Sequence, residues 1–172
     1  MEPGQVTYRL RLSLVLAVAL TLHQSLFVTL RIDDVHPQVM LLVAVVGGLL
    51  AGAERGALIG FAAGLMADMF VQTPLGLSAL TFALVGFVVG SLQTGIVHTA
   101  WWIGPVTALL ASFAGVVLYG VLGAIIGQAH YVSPRLLLLG AGVGTMNAVL
   151  AVPVVRAMSW ALDSRPEGAY AR

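Results

Sequence analysis

Residues 12–30 read LSLVLAVALTLHQSLFVTL, an apolar run interrupted only by His23 and Gln24. A helix needs about 20 apolar residues to cross the hydrocarbon of a bilayer, and about 17 is the lower limit. Five further segments meet that requirement, at 37–53, about 55–71, 76–93, 103–127 and 134–162. A chain that crosses lipid must satisfy its own backbone polar groups, so each of these segments is predicted to be a helix. The expected fold class is therefore all-α integral membrane, a bundle of six transmembrane helices. It divides into an N-terminal segment 1–11, a membrane domain 12–162 and a polar tail 163–172 with the sequence DSRPEGAYAR.

Composition closes the alternatives. Of 172 residues, 59% are hydrophobic and 9% charged, and the mean hydropathy is +1.00. A soluble domain carries roughly a quarter charged residues. Disorder requires low hydrophobicity, and a soluble helical core requires a polar face that these segments lack. With no cysteine there is neither a disulfide framework nor a thiolate metal site. All eight basic residues are Arg, a pattern read as codon bias, and the net charge of +1 without a basic cluster gives nucleic acid nothing to bind.

Arginines set the expected orientation, because short loops rich in Lys and Arg stay in the cytoplasm. With the N-terminus inside and six crossings, Arg9, Arg11, Arg55, Arg156, Arg165 and Arg172 are cytoplasmic, and Arg31 and Arg135 are outside. Trp101, Trp102 and Trp160 then lie at the inner interface, where amphipathic rings anchor helix ends. Both termini are expected in the cytoplasm. The run after Arg9 and Arg11 is too long for a cleaved signal and has no small-residue cleavage site, so it reads as a retained first helix.

The third segment holds a glycine ladder. Gly52, Gly56, Gly60, Gly64 and Asp68 follow at intervals of four. Association in lipid depends on close approach, which glycines at i and i+4 permit, so this helix is expected to be central and buried. Asp68 stands about 20 Å along the helix from Arg55, near the outer interface. Two ion pairs are expected, Asp68 with Arg135 outside and Glu54 with Arg156 inside; the alternative is that each charge snorkels into water or head groups. A proton relay would need aligned acids or histidines, and His23, His36, His98 and His130 show no such alignment.

Other motifs divide between packing and partners. Ser13, Ala17, Thr21 and Ser25 form a second stripe of small residues, which either docks another membrane protein or packs inside the bundle. Gly86 and Gly90 repeat the spacing in the fourth segment. In the sixth, Gly140, Gly144 and Thr145 accompany Asn147, read as a residue that bonds helices together, and Pro153 reads as a kink. HExxH, GxSxG and P-loop motifs are absent, and the histidines fall at different depths, so catalysis, cofactors and a metal site find no support.

The succession LHQSL at 22–26, HPQVMLLVAVVGGLLAG at 36–52, GALIGFAAGLMADMF at 56–70, LGLSAL at 75–80 and GFVVG at 86–90 resembles the MreD family of the bacterial rod-shape machinery. Pro37-Gln38 departs from it, where the family often carries Pro-Asp, and beyond residue 95 only hydrophobicity matches. Gly56, Gly60, Phe61, Gly64, Asp68 and Gly76 fall on the motif, with a role in maintaining the fold. The resemblance implies a six-helix bundle similar to the substrate-binding subunits of energy-coupling-factor transporters, in the bacterial cytoplasmic membrane. It implies a non-enzymatic scaffold that binds MreC, a protein with one membrane span. Through it the scaffold would serve the cell-wall polymerase, a class B penicillin-binding protein and the actin-like MreB.

The rival reading is a solute-binding subunit of a vitamin-type transporter, whose docking helix would also use small residues at spacing four. Such a site should gather polar and aromatic groups in a cavity. The candidates are Gln72, Thr73, His130, Tyr131 and Ser133, all in loops.

Overall fold

A computed structural model of the chain describes residues 3–29, 37–70, 75–93, 102–128 and 133–162. They form six helices and, among the described residues, no strand: α1 (Pro3–Thr29), α2 (Val39–Ala51), α3 (Ala53–Asp68), α4 (Leu77–Leu92), α5 (Ile103–Ile125) and α6 (Leu136–Leu162). Each predicted segment corresponds to one helix, but α1 begins at Pro3, within the expected N-terminal segment 1–11. Two of them, α5 and α6, are long and apolar enough to cross a membrane by length and composition. α6 runs without a break through Pro153.

The centre of the bundle is α2. Its sequence VMLLVAVVGGLLA is apolar all round, Met40 to Val45 are fully buried, and it packs against all five other helices. The expectation that α3 would be central is therefore corrected. α3 buries one stripe, from Gly56 through Ile59, Gly60, Ala63 and Gly64 to Ala67, and exposes Leu58, Phe61 and Leu65 on the other.

Gly52 also leaves the place predicted for it. It stands between α2 and α3 with φ +85°, a left-handed conformation that L side chains rarely adopt, and turns the chain back on itself in a single residue. The ladder proper starts at Gly56. There a Cβ would lie 2.5 Å from the Cα of Gly48 on α2. At Gly60 it would collide with the carbonyl of Phe82, and at Gly64 it would lie 2.5 Å from the Cα of Ala79. The answering glycines of α4 are Gly86, which faces the backbone of Gly56, and Gly90, which faces the turn at Gly52 and Ala53. Thus α3 and α4 run antiparallel with backbone against backbone. Close approach of this kind multiplies small dispersion gains and needs no hydrophobic force.

A second antiparallel pair is α5 and α6. Gly144 lies where a Cβ would be 2.7 Å from the carbonyl oxygen of Leu109, and Gly140 packs on Phe113. α1 lies at the edge, against α2 and α6. At one end of the bundle the Arg11 guanidinium sits 5.1 Å above the Trp160 ring, joining the first helix to the last.

The surface is the inverse of a soluble protein's. Leu14, Val18, Phe61, Phe87, Leu110, Leu138 and Val149 are exposed, whereas Asp68, Thr81, Ser112 and Asn147 are buried. Apolar exposure on every side with polar groups inside is the distribution expected in lipid.

Replacing Gly60 by Leu forces α3 away from the Phe82 carbonyl and should cost about 1–3 kcal/mol, read as a lower thermal unfolding midpoint in detergent. Leu58→Ala, on the exposed face two residues away, should leave the midpoint unchanged; equal losses from the two would contradict the glycine seam.

Candidate functional site

Gly64 and Asp68 lie one helical turn apart on the buried stripe of α3, and both face the beginning of α4. Because Gly64 has no side chain, Ser78 and Ala79 approach the α3 backbone directly. The carboxylate of Asp68, 2% exposed, is thereby brought onto the first turn of α4. Its Oδ2 accepts the N–H of Gly76 at 2.8 Å and of Ala79 at 3.3 Å, and its Oδ1 accepts the N–H of Ser78 at 3.2 Å.

The first N–H groups of any helix lack intrahelical acceptors and are commonly capped by a side chain at the residue before the helix. Here that residue is Gly76, with φ +98° and no side chain to offer. Asp68 performs the capping from the preceding helix. Electrostatics favour the arrangement, because the N-terminus of α4 carries partial positive charge and charge-assisted bonds are stronger than neutral ones. The C-terminus of α3 opposes a negative charge, but three directed N–H bonds to α4 outweigh an interaction that weakens within one turn.

This geometry replaces the expected pair with Arg135. Both oxygens of Asp68 are engaged by α4, and Arg135 is exposed at the start of α6. Glu54 and Arg156 are likewise exposed, and among the described residues neither makes an ion pair. The buried acid is satisfied by backbone amides, which need no counter-charge.

A second polar contact lies deep in the bundle. Asn147 on α6 donates to Ser112 Oγ on α5 at 2.8 Å and to the carbonyl of Gln38, just before α2, at 3.2 Å. It is fully buried and fastens three helices, as its sequence context predicted. Thr81 and Thr145 instead return their hydroxyls to their own helices, to the carbonyls of Leu77 and Ala141.

The small-residue stripe of α1 faces outward along its whole length: Ser13, Ala17, Thr21 and Ser25 are all exposed. Ser13 and Thr21 bond the carbonyls of Leu10 and Ala17, so neither hydroxyl demands an outside partner. Beside them Leu10, Leu14, Val18 and Leu22 project as a ridge with the same spacing of four. Row and ridge run side by side along the exposed face of α1 at the spacing of helix ridges and grooves. His23 is buried on the opposite side. His36, His98, His130, Gln72, Thr73, Tyr131, Trp101, Arg31, Arg165 and Arg172 lie outside the described residues, and Ser133 is half-buried before α6. Among the described residues no three His, Asp or Glu side chains gather as a metal site would require.

The family described as rod shape-determining protein MreD matches residues 5–158. No curated protein and no solved structure matches the chain.

Asp68→Ala strands three N–H groups, those of Ser78 and Ala79 buried and that of Gly76 partly so, and should cost about 0.5–2 kcal/mol, the range for loss of a cap, as a lowered unfolding midpoint in detergent. Asp68→Asn keeps acceptor oxygen on one side only and should fall between. Arg135→Gln should change nothing; a loss matching that of Asp68→Ala would restore the ion pair as the governing contact.

Proposed function

The chain belongs to the MreD family of rod shape-determining membrane proteins, and from that membership we propose that it is a non-enzymatic scaffold holding MreC, a single-span protein, in the cell-wall elongation complex. In this reading it serves lateral peptidoglycan synthesis indirectly, through the polymerase, the class B penicillin-binding protein and MreB that MreC would bring together. The observation that carries the proposal is the outward face of α1. A helix at the bundle edge that exposes a row of small residues beside a leucine ridge offers a single transmembrane span a matching surface.

We place the chain in the bacterial cytoplasmic membrane with six crossings and both termini inside. Supporting this, Arg11, Trp160, the turn at Gly52, the end of α4 and the start of α5 share one end of the bundle, and Arg55 and Arg156 belong to that end. Arg135 stands at the other. With Arg9 two residues before Arg11 on α1, four described arginines against one is the asymmetry that places the richer end in the cytoplasm.

The test is recovery of MreC with the tagged chain in mild detergent. Ala17→Trp and Thr21→Trp fill the α1 row from outside the bundle, so folding should persist while recovery falls about tenfold, equivalent to about 1.4 kcal/mol. Undiminished recovery with both substitutions would exclude α1 as the docking face. Failure of the unsubstituted chain to retain MreC at all would exclude the scaffold reading.

A further inference from the structure

α2 begins inside the bundle. Its first three residues, Val39, Met40 and Leu41, are 3% exposed or less, and the helix has no side-chain cap. The first N–H groups of a helix have no carbonyl behind them to bond. Leu42 is the first to find one, on Gln38 at 3.0 Å, so among the described residues the N–H groups of Val39, Met40 and Leu41 lack acceptors. Buried backbone donors are nearly always paired in native proteins, with protein groups or with ordered water. At the start of α4 Asp68 meets that need, and the group found at the start of α2 is Asn147.

Asn147 is fully buried and spends both N–H bonds of its carboxamide, one on Ser112 Oγ at 2.8 Å and one on the Gln38 carbonyl at 3.2 Å. A carbonyl oxygen only accepts, so the atom that faces Gln38 must be Nδ2, and the orientation of the amide is fixed. Oδ1 is the atom left over. It is buried and has no hydrogen-bond partner among the described residues. A buried acceptor in that state loses its hydration and gains nothing in exchange. Because the carboxamide is planar, Oδ1 stands about 4–5 Å from Ser112 Oγ and from the Gln38 oxygen, at the first turn of α2.

An unpaired acceptor and unpaired donors thus meet at one place, and the combination selects its occupant. An anion would accept from α2 but be repelled by Oδ1. A cation would suit Oδ1 but face the positive end of α2. A molecule that donates and accepts at once satisfies both. Size follows from the surroundings, since Ala108 and Ser112 on α5 and Val143 and Ala151 on α6 are all buried. The smallest molecule with both capacities is water, and buried waters typically make about three bonds to polar groups that otherwise have no partner.

We propose that Asn147 and the first turn of α2 form a binding site for one structural water molecule, which donates to Asn147 Oδ1 and accepts from an N–H of α2. Its second hydrogen goes to whichever of Ser112 Oγ and the Gln38 oxygen lies on the Oδ1 side of the amide, a gap of about 4 Å that one water spans. The central helix is thereby tied to the α5–α6 pair through water as well as through the direct bond from Asn147 to Gln38.

The test is magnetisation transfer from water, measured by NMR on the full isotope-labelled chain in nanodiscs. A bound water should give cross-peaks at the side-chain amide of Asn147 and at one or more backbone amides of Val39, Met40 and Leu41, and none at Val45 and Val46 within the same helix. Ser112→Ala should keep these cross-peaks. The serine hydroxyl also exchanges with water, so cross-peaks that vanish with it would belong to that proton and overturn the proposal. Asn147→Leu removes the acceptor and should abolish transfer to α2, with the amide shifts of Gly76 and Ala79 unchanged as the sign of an intact fold. Where that variant does not fold, the unsubstituted chain and Ser112→Ala decide alone. No water cross-peak at Asn147 or at any of the three α2 amides in the unsubstituted chain would overturn the site, as would transfer to α2 that survives Asn147→Leu.

Discussion

Gly64 lets the first turn of α4 lie directly on the backbone of α3, and one turn further Asp68 receives the N–H groups that this turn exposes. The two residues act together. A side chain at 64 would hold α4 too far away for the carboxylate to reach it, and without the carboxylate the approach would bury N–H groups with nothing to accept them. That second cost is the cost of a buried polar group without a partner. An acid within a glycine ladder is therefore a fastening for the next helix.

From this contact the architecture follows outward. With α3 and α4 joined backbone to backbone and α2 turned onto α3 at Gly52, the first block of the bundle is set. α5 and α6 form their own pair through Gly140, Gly144 and the bond from Asn147 to Ser112, and Asn147 also donates to the carbonyl of Gln38 at the start of α2. Glycine seams bind within blocks, while the bond from Asn147 to Gln38 and the packing of Gly115 on Leu41 and Val85 join one block to the other. What remains at the periphery is the outer face of α1, a row of small residues beside an apolar ridge.

Much of the fold was legible because each helix coincides with an apolar run, of which those of α5 and α6 are long enough to cross a membrane, and because spacing of four marks one face of a helix. The rank of the helices was not. Every segment is apolar nearly all round, so no polar face distinguishes the central α2 from its neighbours, and its helix of 13 residues is shorter than the apolar run that contains it. Gly52 could not be told from the ladder it precedes, since glycine serves a close contact and a left-handed turn equally well. The partner of Asp68 was hidden for a different reason. Backbone amides have no sequence signature, and a search for opposite charge leads to Arg135. The available sign was at Gly76, a helix start with no side chain to cap it, eight residues after an unexplained acid. Asn147 was readable because a carboxamide within an apolar helix must find partners nearby.

Amide hydrogen exchange at Gly76, Ser78 and Ala79 tests the fastening most directly. In the unsubstituted chain the three amides should be protected like the interior of α4. In Asp68→Ala they should exchange together, while amides in the middle of α3 and α4 stay slow. Protection of all three that survives the loss of the carboxylate would contradict the account, because the start of α4 would then owe its order to something other than Asp68.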